Sequence, residues 1–112
     1  KEDCEKAGST FSVSHDIERA YSGKEIDYAK SWGSLVNYGN PEIQSAENEQ
    51  HKHFIVDGQK MNLTNNAVFS HCLPLRRNIK ATDEVMDAKY CLAVKEAANR
   101  KHVQKSLLTN IL

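Results

Sequence analysis

Short apolar runs, separated by polar and glycine-containing segments, divide this chain into alternating strands and helices. Strands are predicted where apolar and polar residues alternate or a brief apolar run stands alone, at residues 10–14, 26–29, 67–71 and 90–94. Helices are predicted at residues 17–21, 42–53, 58–63, 82–86 and 95–112. Strands alternating with helices imply an α/β fold, with a parallel sheet, flanking helices and a closing C-terminal helix.

Capping and helix-breaking residues set the helix boundaries. Asp16, Asp57 and Thr82 stand where an N-cap side chain would accept a hydrogen bond from the first turn. Gly23 is expected to end the first of these helices. Residues 33–41 contain three glycine or proline residues and are predicted to form an exposed, mobile loop. The helix at 42–53 is polar nearly throughout, which favours a position on the surface.

The last helix carries apolar residues at helical spacing, which predict a buried stripe: Val103, Leu107, Leu108, Ile111 and Leu112. Arg100 lies three residues before Val103 and would share that stripe. Because an unpaired buried charge is costly, an inward guanidinium there must be paired with an anion.

Composition narrows the class of protein. The 112 residues suffice for one domain with a modest core, and 15 basic residues balance 15 acidic ones. This balance favours neither nucleic acid nor an anionic membrane as a partner. No apolar run approaches the roughly 18 residues of a membrane span, and no signal-like segment is present.

The cysteines and histidines indicate a cytoplasmic protein without a metal. Cys4, Cys72 and Cys91 form an odd set without a Cys-x-x-Cys pair, which argues for reduced thiols rather than disulfides or structural zinc. His51 and His53 have no third ligand nearby in sequence, so they are predicted to be surface residues.

Residues 71–78, His-Cys-Leu-Pro-Leu-Arg-Arg-Asn, are the most informative segment. They follow a predicted buried strand, and loops after such strands hold the ligand chemistry of α/β sheets. Arg76 and Arg77 suit carboxylate or phosphate, because a guanidinium donates two parallel hydrogen bonds. We expect Arg76 to point inward. By themselves these residues predict anion recognition and no more.

The His-Cys-Leu-Pro sequence closely resembles the loop of the carbamoyltransferases, which move a carbamoyl group from carbamoyl phosphate to an amine. Its continuation through Asp83 is similar to the branch of the family that acts on N-acetylornithine. Further segments agree with that branch, at residues 28–33, 53–57, 96–100 and 102–105. The resemblance therefore runs from about residue 11 to the C-terminus.

The resemblance implies that the chain is one part of a two-domain enzyme. Residues 1–98 would be the C-terminal part of the ornithine-binding domain, and 99–112 a helix that packs back on a carbamoyl phosphate domain. The family's Ser-x-Arg-Thr-Arg and His-Pro-x-Gln motifs do not occur in this sequence. The implied enzyme is a homotrimer of arginine biosynthesis that needs no cofactor and makes N-acetylcitrulline and phosphate.

The resemblance also assigns candidate site residues. Those for carbamoyl phosphate are Cys72, Leu73 and Arg100, and those for N-acetylornithine are Lys30, Leu73, Arg76 and Lys80. Cys72 is expected to position the reactants rather than attack, because His71 and Cys72, adjacent on a strand, point to opposite faces and cannot form a nucleophile–base pair. A neutral amine needs only positioning and a cation near the leaving phosphate.

The residues after the second predicted strand bear on the substrate. Lys30 would bind the substrate α-carboxylate, since a cation suits that group. An acylated α-nitrogen is uncharged and no longer requires a carboxylate partner from the protein. Asp27 stands where free-ornithine enzymes place an aspartate; alternatively, it is a strand residue that faces solvent. The resemblance implies that Lys80 can carry a CO₂ adduct, although a solvated lysine is an equal alternative. The Leu73–Pro74 peptide is expected to be cis.

Three alternatives remain open at this stage. Two of them place the chain in an ornithine or in an N-succinylornithine carbamoyltransferase instead. A third alternative is a non-catalytic amino-acid-binding module with the same fold. A natural gene product with a chain near three times this length would favour an enzyme over that module.

Overall fold

The computed structural model describes residues 1–32 and 36–112. The strands are β1 (Ile26–Ala29) and β2 (Val68–His71), and a short 3-10 helix spans Lys52–Phe54. The α-helices are α1 (Glu2–Lys6), α2 (Ile17–Tyr21), α3 (Pro41–Gln50), α4 (Gly58–Asn62), α5 (Asp83–Asp87) and α6 (Ala93–Ile111).

The two strands form a parallel sheet, which confirms the predicted α/β class. Ile26 lies opposite Val68, and Ala29 lies opposite His71. Because both strands end at the same edge, the segments after Ala29 and after His71 begin side by side. This edge is where the candidate site residues are expected to meet.

The core lies on one face of β2. Its buried members come from β2, α4, α5 and the segments beside them: Val56, Met61, Ala67, Phe69, Ala81 and Val85. Each is almost fully removed from water, and burying a side chain as large as that of Phe69 or Val85 contributes roughly 1.5–3 kcal/mol to folding.

Helix α6 packs beside the sheet and is joined to it by the carboxylate of Glu96. Glu96 accepts a hydrogen bond from the Tyr28 hydroxyl at 2.8 Å and another from the Ser70 hydroxyl. These two hydrogen bonds lower the pKa of Glu96. Since Tyr28 belongs to β1 and Ser70 to β2, Glu96 ties both strands to the start of α6.

The predicted helix starts are confirmed. Asp16 accepts a hydrogen bond from the backbone of α2, Asp57 from that of α4, and Thr82 from that of α5. Such a cap stabilises a helix by about 1 kcal/mol. Helix α3 buries none of its residues, as its polar sequence predicted.

Two strand predictions are wrong. Residues 10–14 form no strand, and Phe11 and Val13 are 55% and 73% exposed, because the described residues supply no strand to pair with them. Residues 90–94 form only a single bridge, between Cys91 and Phe69. The chain then turns directly into α6, so Val94 is an exposed helical residue.

The predicted stripe of α6 is not buried within this chain. Val103, Leu107 and Ile111 are 57%, 56% and 76% exposed, and Arg100 is exposed as well. No helix in the described ranges is long and apolar enough to span a membrane. The predicted loop at 33–41 lies partly outside the described residues; residues 36–39 form an exposed turn, with Asn37 half-buried.

Candidate active site

The loop after β2 has an unusual backbone. The Leu73–Pro74 peptide is cis, as predicted, and Leu73 adopts a positive φ of 41°. The Leu73 N–H donates to the Nδ1 atom of His71 at 2.9 Å. His71 is only 1% exposed, and its Nε2 atom has no hydrogen-bond partner among the described residues.

Arg100 contacts this loop from α6. Its Nη2 atom donates to the carbonyl oxygen of Cys72 at 3.1 Å. A cavity of about 270 Å³ lies beside that contact, lined by residues that include Cys72, Arg100 and Gln104. The expectation that Arg100 is buried is wrong, but its guanidinium does lie at the His-Cys-Leu-Pro loop.

The arginine pair divides into two roles. Arg77 donates to Asp83 at 2.9 Å and to Asp87 at 2.7 Å, which raises the pKa of its guanidinium and lowers those of both carboxyls. Arg77 therefore anchors the loop to α5. Arg76 forms no ion pair among the described residues and borders a groove against α3, although its predicted inward direction is wrong because it is exposed.

Lys80 lies in a nearly closed cage. It is 6% exposed, and its Nζ atom donates to the Trp32 carbonyl at 3.1 Å and to the Asn48 side chain at 2.8 Å. The ammonium also lies 3.2 Å from the centroid of the Trp32 ring. Burial lowers the pKa of Lys80, and the charge of Arg76 lowers it further. The alternative of a solvated Lys80 is thus wrong.

The backbone explains why Lys80 points inward. The Val56 N–H donates to the Lys80 carbonyl at 3.0 Å, and the Lys80 N–H donates to the Arg76 carbonyl at 3.0 Å. Asn78, in the turn between Arg76 and Lys80, adopts a positive φ of 59°. The loop is therefore folded back tightly, and the Lys80 side chain is directed toward Trp32 and α3.

Lys30 and Asp27 differ sharply in their surroundings. Lys30 is exposed at the end of β1 and has no hydrogen bond to the described residues. Asp27 is half-buried, so the alternative of a solvent-facing residue is wrong; one carboxylate oxygen is buried without a partner. Burial raises the pKa of Asp27, and the Tyr21 hydroxyl beside it lowers that pKa in part.

The structure thus gathers the candidates on two sides of one loop. Cys72 and Arg100 lie on the α6 side, whereas Arg76 and Lys80 lie on the α3 side. Asn48 was not predicted, because nothing in the polar sequence of α3 distinguishes it. Within the described ranges, no three His, Cys, Asp or Glu side chains converge as metal ligands would.

Comparison with known proteins places most of this chain beside the amino-acid-binding part of one enzyme family. Residues 1–111 match the family model described as aspartate/ornithine carbamoyltransferase, Asp/Orn binding domain. The N-acetylornithine carbamoyltransferase of Xylella fastidiosa strain Temecula1 is 61% identical over 101 residues, which cover 90% of this chain. The N-succinylornithine carbamoyltransferase of Bacteroides fragilis is 38% identical over 105 residues, covering 88% of the chain.

A solved structure is similar over nearly the whole chain. The crystal structure of acetylornithine transcarbamylase complexed with acetylcitrulline superimposes with a TM-score of 0.86 at 53% identity. The superposition covers 99% of this chain but 33% of that one. The matches likewise cover only 30% of the Xylella relative and 31% of the Bacteroides relative.

Proposed function

The chain belongs to the aspartate/ornithine carbamoyltransferase family, and we propose that it acts within an N-acetylornithine carbamoyltransferase of arginine biosynthesis. In this reaction the side-chain amine of N-acetylornithine attacks the carbamoyl carbon of carbamoyl phosphate. Phosphate leaves, and N-acetylcitrulline forms. No covalent enzyme intermediate is needed, because the amine is itself the nucleophile.

The observation that carries this proposal is the contact between Arg100 and the Cys72 carbonyl. It holds a permanent cation at the loop that, in this proposal, meets the carbamoyl group through Cys72 and Leu73. A guanidinium has five donors, and this contact occupies one of them. The others are available to a phosphate, whose developing negative charge they would stabilise as it leaves.

The assignment of N-acetylornithine rests on Lys30 and on the identities of the relatives. An exposed, unpaired ammonium suits a carboxylate, and the acetylated α-nitrogen carries no charge that would need an acidic partner. Asp27, the acidic alternative, is half-buried against Tyr21. The 61% identity to the acetylornithine enzyme exceeds the 38% identity to the succinylornithine enzyme.

The proposed full-length protein contains this chain together with a carbamoyl phosphate domain. Residues 1–98 would complete the amino-acid-binding domain, and residues 99–112 would pack against that other domain. The exposed apolar side chains near the end of α6 support such packing. A homotrimer in the cytoplasm completes the proposal, and the free thiols of all three cysteines suit a reducing compartment.

Side-by-side assays test this function. The full-length protein should form citrulline derivatives fastest from N-acetylornithine, and more slowly from N-succinylornithine and ornithine. Residues 1–112 alone should form none from any of the three amines, because one arginine cannot replace a complete phosphate site. Faster turnover of ornithine would contradict the substrate, and activity of the isolated chain would contradict the division between domains.

The cage around Lys80 supports its proposed modification by CO₂. A lowered pKa leaves more of the amine neutral at a given pH, and only the neutral amine attacks CO₂. The nitrogen forms a bond to the carbon of CO₂ and loses a proton to solvent. The anion that results would lie near Arg76, so the lysine would change from a neighbour that Arg76 repels into one that it attracts.

We expect ¹³C-bicarbonate to label Lys80 of the full-length protein at mildly alkaline pH. A carbamate carbon signal should appear in the NMR spectrum, disappear in acid, and be absent from Lys80→Arg, which cannot form the adduct. Lys89→Arg, at an exposed lysine, should keep the signal. A spectrum of Lys80→Arg identical to that of the parent protein would contradict the modification.

A further inference from the structure

His71 is a buried titratable residue with its acceptor nitrogen committed to the backbone. It ends β2, is 1% exposed, and accepts the Leu73 N–H on Nδ1 at 2.9 Å. A nitrogen that accepts a hydrogen bond carries no proton, so the imidazole is neutral with its hydrogen on Nε2. The contact therefore exists in one protonation state and one tautomer.

That contact supports an unfavourable backbone conformation. The φ of Leu73 is +41°, a region that is unfavourable for a residue with a Cβ. The hydrogen bond to His71 spans only two residues, so it fixes the direction of the Leu73 peptide group closely. Without an acceptor at Nδ1, the half-buried N–H would lose its partner and the positive φ would lose its support.

We propose that His71 is a positioning residue for carbamoyl transfer: its unprotonated Nδ1 holds the Leu73 main chain in the orientation that the reaction needs, and protonation releases it. The inference rests on the proposed function, in which Leu73 meets the reacting groups. In this role His71 acts through the backbone of the loop.

The surroundings of His71 determine the direction of its pH dependence. Burial is the main cause that lowers its pKa below the ordinary 6.5, and the charges of Lys30 and Lys80 lower it further, whereas Glu96 raises it. The neutral form thus prevails at neutral pH. At a pH more acidic than that at which an ordinary histidine titrates, protonation places an N–H at Nδ1 opposite the Leu73 N–H, and two donors cannot bond. Activity should therefore fall on the acid side.

Two substitutions of similar size separate the acceptor from the bulk of the ring. In His71→Asn, the Oδ1 atom is attached to Cγ as Nδ1 is and can accept the Leu73 N–H, but it does not titrate. His71→Leu has the same branching at Cγ without an acceptor. Both variants have two fewer side-chain heavy atoms than histidine, so they differ mainly in whether an acceptor stands at the Nδ1 position.

Hydrogen exchange of the full-length protein provides a readout that does not depend on activity. A peptide that spans residues 72–75 reports the amides of Leu73 and Leu75, since Pro74 has none and Cys72 is the amino terminus of the peptide. We expect slow exchange at Leu73 in the parent protein and in His71→Asn, and exchange about two- to tenfold faster in His71→Leu, the range that the net loss of one such hydrogen bond gives.

Kinetics then test the effect on the reaction. His71→Leu should lower kcat about ten- to a hundredfold with a much smaller change in KM, because loop misplacement affects the transition state. His71→Asn should keep most of kcat and lose the part of the acid limb that comes from His71, so that only the limb of the substrate amine remains. Equal kcat values for the two variants, or an acid limb in His71→Asn identical to that of the parent, would overturn the inference.

These outcomes separate the inference from the function on which it rests. If the parent protein transfers no carbamoyl group to any of the three amines, the proposed function fails, and the exchange of Leu73 alone decides whether His71 holds the loop. If transfer occurs but both variants exchange Leu73 at the parent rate, the function stands and the positioning role is wrong.

Discussion

Replacing Lys30 by alanine in the full-length protein is expected to raise the KM for N-acetylornithine about ten- to a hundredfold. The loss of one charge-assisted hydrogen bond to the substrate α-carboxylate costs roughly 1.5–3 kcal/mol. Because that carboxylate is remote from the carbamoyl carbon, the contact is equally strong in the ground state and the transition state. The value of kcat should therefore change little.

The control is Lys24→Ala, which removes an exposed lysine just before β1 and should leave KM unchanged. Asp27→Ala distinguishes the alternative substrate. If Asp27 binds the free ammonium of ornithine, its removal should raise the KM for ornithine strongly, while Lys30→Ala should be nearly silent. That pattern, with ornithine as the better substrate, would contradict the acylated-substrate assignment.

The local features of this fold were predictable because their causes are local. Asp16, Asp57 and Thr82 each cap a helix whose backbone donor is three residues away. The strand predictions that were wrong depend on distant partners. Residues 10–14 have the alternation of a strand, but the described part of the chain offers them no strand to pair with. Cys91 forms a single bridge, with Phe69, before α6 begins.

The loop of the site was predictable from its motif, whereas its supports were not. His71, Leu73 and Pro74 are contiguous, so the sequence shows them together. Asn48 meets Lys80 across 32 positions, and Glu96 meets Tyr28 across 68. Neither Asn48 nor Glu96 differs in type from polar residues beside it that face solvent, and only the packing of α3 and α6 distinguishes them.

The two arginine assignments show the same limit. Sequence spacing placed Arg100 on an apolar stripe, and the stripe is exposed within this chain, yet the guanidinium does meet the predicted loop. Arg76 and Arg77 are equivalent in sequence. Their roles differ because Asp83 and Asp87 pair with Arg77 and not with Arg76. Where α5 begins determines which arginine these two carboxylates reach.

Removing the guanidinium of Arg100 is expected to have the larger kinetic effect. Arg100→Ala should lower kcat/KM for carbamoyl phosphate about a hundred- to a thousandfold, the range observed when a donor that stabilises developing negative charge is lost. Both kcat and KM should change, because the guanidinium would bind the phosphate before the reaction and stabilise it more strongly as it leaves. Release of the Cys72 carbonyl should add to the loss in kcat.

Two further substitutions show which property of Arg100 matters. Lys101→Ala removes a cation from the same turn of α6 and, as an exposed change, should alter kcat/KM by only about twofold. Arg100→Lys keeps the charge but loses the planar fork, which can hold a carbonyl and a phosphate at once. Its kcat/KM should fall between those of the parent and Arg100→Ala. If Arg100→Ala were no worse than Lys101→Ala, the phosphate would be bound elsewhere, and the contact with Cys72 would serve only to dock α6 on the loop.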